Sequence, residues 1–200
     1  ESLGVPIGEV KLILLTHAHF DHAAGLAGLK AASGAAVVTG ARDRRAAETG
    51  TPPGETSYGV IRFPAVPVAR GVRDGERVTL GDVTLTAVAM PGHTPGCTGW
   101  RMTVERLDVL FPCSVSVAGN RLVGNRRYPG IVPDFRRTFA AAAKLRPDVV
   151  LPSHPEQADV LGRGRRGREA FVDRALWPAE VAKARAAFEA ELVKQQAAAK

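Results

Sequence analysis

Apolar positions in this chain recur with two different periods, and the two alternate. Lys11 to Thr16 is short and nearly all apolar, which predicts a strand buried on both faces. From Asp21 to about Ser33 the spacing becomes three and four: Ala23, Leu26, Ala27 and Leu29 predict a helix, and Gly34 is placed to stop it. Ala36 to Thr39 predicts a brief strand, and Arg42 to Glu48 a second helix. Gly50 to Gly71 is rich in Pro and Gly and reads as a long loop with one extended piece near Val66. The turn dipeptides Asp74-Gly75 and Gly81-Asp82 bracket a hairpin of Arg77 to Leu80 and Val83 to Met90.

The same alternation continues. Thr98 to Val104 and Leu107 to Phe111 read as strands. Asp134 is placed to cap a helix carrying Phe135, Phe139, Ala142 and Leu145 on one face, with Pro147 beyond its end. Asp148 to Leu151 is another strand. A last helix begins near Pro178, and Trp177, Val181, Ala184, Phe188 and Leu192 form its apolar stripe, which is core packing rather than a cofactor box. Strands alternating with helices predict an α/β layout in a single domain, residues 1–200, with no repeat and no domain-sized linker.

Composition narrows the function classes. At 200 residues, 45% hydrophobic and 24% charged, the chain can bury one full core. No apolar run approaches the ~20 residues of a membrane span, so no membrane partner is expected. Net charge is +7, and 21 of the 27 basic residues are arginine. Such a bias follows from GC-rich codon usage, or it attracts an anionic substrate or nucleic acid. The densest run, Arg163 to Arg168, has no interleaved aromatics and reads as a solvated loop, so no nucleic-acid partner is expected. Cys97 and Cys113 are too few for a disulfide scaffold and wrongly spaced for a zinc ribbon. They can form one bridge in an oxidising compartment. The chain begins at Glu1, with only ten residues before a buried-looking strand, which reads as a truncated or processed start.

The candidate chemistry lies at strand ends. All five histidines fall in three signatures: Thr16-His17-Ala18-His19-Phe20-Asp21-His22, Pro91-Gly92-His93-Thr94-Pro95-Gly96 and Pro152-Ser153-His154-Pro155. A single histidine such as His93 or His154 is usually an ordinary core residue, and Asp21 alone could be a helix N-cap. Three histidines and an aspartate within six residues are different, because neutral imidazole and carboxylate are metal ligands. On an extended segment, positions i and i+2 point the same way, so His17 and His19 can grip one ion. Asp21 and His22 lie just beyond, where the chain turns toward a helix, and face a different point. One segment can therefore serve two metals.

His-x-His-x-Asp-His at the end of an apolar strand resembles the metallo-β-lactamase superfamily. Leu-Thr-His-Ala-His-Phe-Asp-His from Leu15, Pro-Gly-His-Thr-Pro-Gly-Cys-Thr from Pro91, Ser-Val-Ser-Val-Ala-Gly from Ser114, Arg-Tyr-Pro from Arg127 and Ser-His-Pro-Glu from Ser153 are most similar to class B β-lactamases of subclass B3. The resemblance implies a four-layer αββα sandwich whose first sheet lacks its initial strands here, and a parent protein that is periplasmic or secreted. It implies two zinc ions, one held by His17, His19 and His93, the other by Asp21, His22 and His154. It implies hydrolysis of a β-lactam amide bond by a hydroxide shared between them, oriented by Asp21. Ser114 and Ser116 would receive the substrate carboxylate, and Asn120 would stand near the carbonyl oxygen. A bridge between Cys97 and Cys113 and a monomeric state are further expectations.

The superfamily also hosts thiolesterases, lactonases, sulfatases and nucleases, and fold alone does not settle function. Many of those resemble one another in an aspartate that bridges both metals at the end of the strand after the third histidine signature. Here that strand runs into Phe111-Pro112-Cys113-Ser114, with no carboxylate. This favours the β-lactamase reading over another small-molecule ester, lactone or thioester hydrolase; an inactive fragment is a separate alternative, raised by the missing start of the chain.

Overall fold

The computed structural model describes residues 4–199. Two sheets face each other. The first is parallel, in the order β1 (Leu12–Leu14), β2 (Ala36–Gly40), β3 (Arg70–Val72). The second is mixed, in the order β4 (Arg77–Leu80), β5 (Val83–Ala89), β6 (Thr98–Val104), β7 (Leu107–Phe111), β8 (Val149–Val150). Its first four strands are antiparallel neighbours, and β8 joins β7 in parallel.

The pleat sorts side chains into three apolar clusters. Leu12, Leu14, Val38 and Val72 of the first sheet meet Val78, Ala87, Trp100 and Phe111 of the second, so this cluster fills the space between the sheets. Ile13 and Val37 point the other way, toward Leu26 of α2 (Leu26–Ser33) and Ala46 and Ala47 of α3 (Arg44–Thr49). Behind the second sheet, Met90 and Leu110 pack on Phe135 and Phe139 of α4 (Ile131–Ala142) and on Trp177, Val181, Phe188 and Leu192 of α6 (Leu176–Ala198). Helix, sheet, sheet, helix is the expected four-layer order.

Several local expectations change. The helix predicted from Asp21 to Ser33 is two pieces, α1 (Phe20–Ala23) and α2, because the chain turns at Ala24-Gly25. β1 is half-buried rather than buried on both faces, since it lies at the edge of its sheet. The extended piece expected near Val66 is β3, four residues later; Val66 and Val68 are buried without joining a strand. Asp134 does not cap α4. It lies in its first turn, and its buried carboxylate accepts hydrogen bonds from Tyr128 Oη (2.6 Å), Arg42 (3.0 Å) and Arg137. The last helix starts at Leu176, two residues before Pro178, and Ala184 of its stripe is only half-buried.

The arginine run is helical rather than a loop, on α5 (Val160–Arg166). Four arginines in and around it are ion-paired: Arg163 to Asp173, Arg166 to Asp159, Arg168 to Glu105 and Arg174 to Asp148. The run therefore offers far less free positive charge than its sequence implies. No helix among the described residues is long and apolar enough to cross a membrane. A short 3-10 turn at Ile7–Glu9 precedes β1.

Candidate metal centre

Three strand ends carry the ligand candidates. Past β1 the chain bends at Thr16, and α1 begins at Phe20 with an extended His19 as its N-cap. This change of direction buries His17 and His19, leaves the His22 side chain 9% exposed and turns Asp21 outward, with its side chain 55% exposed. His93 stands in the turn after β5 and is buried. The turn holds Gly92 at φ +140°, where a Cβ would strike the Phe135 ring. His154 follows β8 and opens the 3-10 turn Pro155–Ala158.

The fold draws these side chains into two groups. One nitrogen each of His17, His19 and His93 lie within 4.8 Å of one another, and so do one atom each of Asp21, His22 and His154. Within the first group His19 Nδ1 is 3.0 Å from His93 Nε2. Within the second, His22 Nε2 is 3.1 Å from His154 Nε2, and Asp21 Oδ2 is 3.2 Å from His22 Nε2 and 3.4 Å from His154 Nε2. The groups adjoin: the His17 and His22 ring centroids are 4.1 Å apart.

Hydrogen bonding fits these residues to a cation. The buried Nε2 of His17 has no hydrogen-bond partner, while His19 turns its Nδ1 rather than its unpartnered Nε2 toward His93 Nε2. A polar atom left so costs about 1–3 kcal/mol unless something else satisfies it. His93 Nδ1 donates to the Ser116 carbonyl at 2.8 Å, which leaves Nε2 as a lone pair aimed at His19. Thr16 Oγ1, 3.1 Å from His17 Nδ1, can fix that ring in the same sense. Burial holds the imidazoles neutral, as ligation requires. It lowers His17 well below the usual histidine range, His93 to about 3 and His19 to about 4, the last against the opposing pull of Asp21. His22 is lowered for the same reason.

A stability prediction follows for the metal-free chain. Histidines with depressed pKa stay neutral in the fold but take protons in the unfolded chain below about 6.5. Stability is therefore present above pH 6.5 and lost as pH falls toward 4 for His19 and 3 for His93. For His19 alone the loss between pH 6.5 and 5 is about 1.5 kcal/mol. Thermal melts of chelator-treated protein at pH 7 and pH 5 should show a clear drop in midpoint; equal midpoints would mean that these rings titrate normally.

One residue escaped the sequence reading. Asp43 is fully buried beneath the first group. Its carboxylate accepts hydrogen bonds from Ala18 N (3.0 Å), between the first two histidines, and from Thr94 Oγ1 (2.6 Å) and Gly96 N (2.6 Å), in the His93 turn. It ties the two ligand-bearing loops together. A Cβ on Gly96 would run into the Asp43 backbone, so glycine there permits the approach. Burial pushes the Asp43 carboxyl up, against its three hydrogen bonds and the nearby Arg42.

The expected substrate-side residues separate. Ser114 and Ser116 lie together beside His93, with hydroxyls 2.9 Å apart. Asn120 does not open toward the ligands. It is buried, and its amide donates to the carbonyls of His93 (3.1 Å) and Val117 (2.8 Å), leaving no N–H for a bound molecule. His19 and Asp21 border a cavity of about 270 Å³ walled by Phe20, Tyr58, Val60 and Ile61. A larger cavity of about 770 Å³ runs between Ser114, Ser116 and α6, and none of the six ligand side chains lines it. Cys97 and Cys113 form a disulfide, with Cα atoms 5.7 Å apart.

A sequence profile of the metallo-beta-lactamase superfamily matches residues 1–154, which include all six ligand candidates. This chain belongs to that superfamily. Among solved structures it is similar to BJP-1, a subclass B3 metallo-β-lactamase of Bradyrhizobium japonicum. Identity is 42% and TM-score 0.92, over 100% of this chain and 78% of that one. FEZ-1 from Legionella gormanii is 30% identical with TM-score 0.88, over 98% of this chain and 79% of that one. The curated relatives carry another name. A hydroxyacylglutathione hydrolase of Acidiphilium cryptum is 27% identical over 92% of this chain, which spans 65% of that protein. One of Cereibacter sphaeroides is 37% identical over 42% of this chain and 26% of its own length. The chain thus has the metallo-β-lactamase fold, and solved structures similar to it include subclass B3 enzymes.

Proposed function

We propose that this protein hydrolyses the amide bond of β-lactams with two zinc ions. One would be held by His17, His19 and His93 and the other by Asp21, His22 and His154. The observation that carries this reading is the end of β7. The position after that strand holds Pro112, a disulfide-bonded Cys113 and Ser114, so the two groups stand as three ligands plus three, with no carboxylate shared between them. The subclass B3 neighbours support it further.

Zinc bound in such groups supplies Lewis acidity and lowers the pKa of water from ~15.7 to about 7. The chain's own residues do the rest. Burial keeps His17, His19 and His93 neutral. Asp21, at the mouth of the small cavity, can accept the proton of an attacking water and orient it. Phe20, Tyr58, Val60 and Ile61 offer an apolar wall to a substrate side chain. Ser114 and Ser116 offer paired hydroxyls to a substrate carboxylate. The reading carries an exported location with it, supported by the disulfide, since such bridges persist in oxidising compartments.

A hydroxyacylglutathione thioester is the second reading, favoured by the names of the curated relatives. Parallel assays of nitrocefin, a carbapenem and such a thioester, each with and without chelator, test both. Lactam turnover that chelator abolishes supports the first; thioester turnover alone would overturn it. Within the first reading, the Ser114→Ala/Ser116→Ala double variant should raise KM roughly 10- to 100-fold, as expected for hydrogen bonds to a charged group worth about 1.5–3 kcal/mol, while kcat changes less. A collapse of kcat at unchanged KM would give the serines a different role.

A further inference from the structure

His17 has two faces, and the second meets sulfur. Its Nε2 belongs to the first ligand group. Its Nδ1 lies 3.6 Å from Cys113 Sγ, and one nitrogen of His17 and both bridge sulfurs lie within 4.8 Å of one another. Zinc-like ions bind sulfur at about 2.3 Å and imidazole at 2.0–2.1 Å, so two such ligands on one tetrahedral ion stand about 3.6 Å apart. The His17–Cys113 spacing already equals that.

The surroundings suit thiols as well as a bridge. Cys113 Sγ is 3.4 Å from the Thr16 carbonyl and Cys97 Sγ 3.5 Å from the Ser114 carbonyl, so each S–H, once formed, has an acceptor in place. The antiparallel pairing of β6 with β7, with Trp100 opposite Phe111, holds the segments bearing the two cysteines together whether or not they are bonded. All three side chains are buried, which excludes competing water.

We propose that reduction of the Cys97–Cys113 bridge creates a separate metal site, made of Cys97 Sγ, Cys113 Sγ and His17 Nδ1, for a thiophilic divalent cation. A dithiol or phosphine supplies the two electrons. The S–S bond breaks, and each sulfur takes one proton; a dithiol closes its own disulfide, while a phosphine takes up oxygen from water. The cation then displaces one proton from each thiol to solvent. It takes the Nδ1 lone pair, and the Nδ1 proton moves across the ring to Nε2. His17 therefore serves the thiol site or the first ligand group, one at a time. The inference stands whichever substrate the hydrolytic centre takes.

Cadmium is the probe. Zinc-loaded full chain is reduced with a phosphine without oxygen, freed of reductant and titrated with cadmium, and the zinc released from the first group as His17 changes partners is counted alongside. The expected result is a thiolate-to-cadmium charge-transfer band in the ultraviolet that saturates at one equivalent per chain. The oxidised protein and a Cys97→Ala/Cys113→Ala variant should lack the band, which separates sulfur ligation from exchange at the histidines. Two alkylatable thiols, native near-ultraviolet circular dichroism and no band would overturn the proposal. So would loss of the native spectrum on reduction, since the site requires the reduced fold.

Discussion

Asp43→Ala is expected to destabilise the protein by about 3–5 kcal/mol, with a fall in melting midpoint of roughly 10–15 °C for a chain of this size. The substitution removes a buried acceptor from three donors at once. The backbone N–H groups of Ala18 and Gly96 and the hydroxyl of Thr94 lose their partner together. Water cannot replace the carboxylate, because the site is fully buried. Total stabilities of single domains are about 5–15 kcal/mol, so this one change removes a large share. It also frees the His17–Ala18–His19 segment from the His93 turn, so metal content should fall along with stability. Asp43→Asn keeps one acceptor oxygen but turns an NH2 group toward a donor, and should lie between wild type and Asp43→Ala. Denaturant unfolding of the metal-free forms and elemental analysis of the loaded ones check this. Wild-type stability in Asp43→Ala would show that the three hydrogen bonds contribute nothing net.

That residue also marks where sequence reading stopped. The strands were legible because their apolar runs are short and end in turn dipeptides; β4, β6 and β7 fall where the pattern puts them. The ligands were legible because five histidines in three signatures have no simpler explanation. Asp43 has no such signal. Standing between two arginines at the start of α3, it looks like any helix-initiating aspartate, and its partners are up to 53 residues away. Asp134 misled in the same way: it sits where a cap belongs but is buried against Tyr128, Arg42 and Arg137. For Asn120, sequence gave the place but not the direction of the amide, which tertiary packing sets by offering it two carbonyls. The arginines show the converse. Charge could be counted from sequence, but the acids that pair with Arg163, Arg166, Arg168 and Arg174 are partly remote, Glu105 by 63 residues.

The other large effect concerns Asp21. Asp21→Ala should cost about 10²–10⁴-fold in kcat and one of the two proposed metals, while the first group keeps its ion. The asymmetry rests on geometry. His17, His19 and His93 are buried and positioned by Asp43, Thr16 and the Ser116 carbonyl, none of which involves Asp21. His22 and His154 are less buried, and Asp21 Oδ2 stands within 3.2–3.4 Å of both their Nε2 atoms. Without it the second group is two imidazoles facing each other across 3.1 Å, with no negative charge to offset a cation. Asp21→Asn should recover little, since the amide supplies an oxygen but neither charge nor a base for an attacking water. Metal content per chain, measured beside turnover, separates lost ligation from lost proton transfer. If Asp21→Ala retains two metals and loses only kcat, Asp21 acts on the water alone. Retention of both metals and full turnover would remove Asp21 from the site.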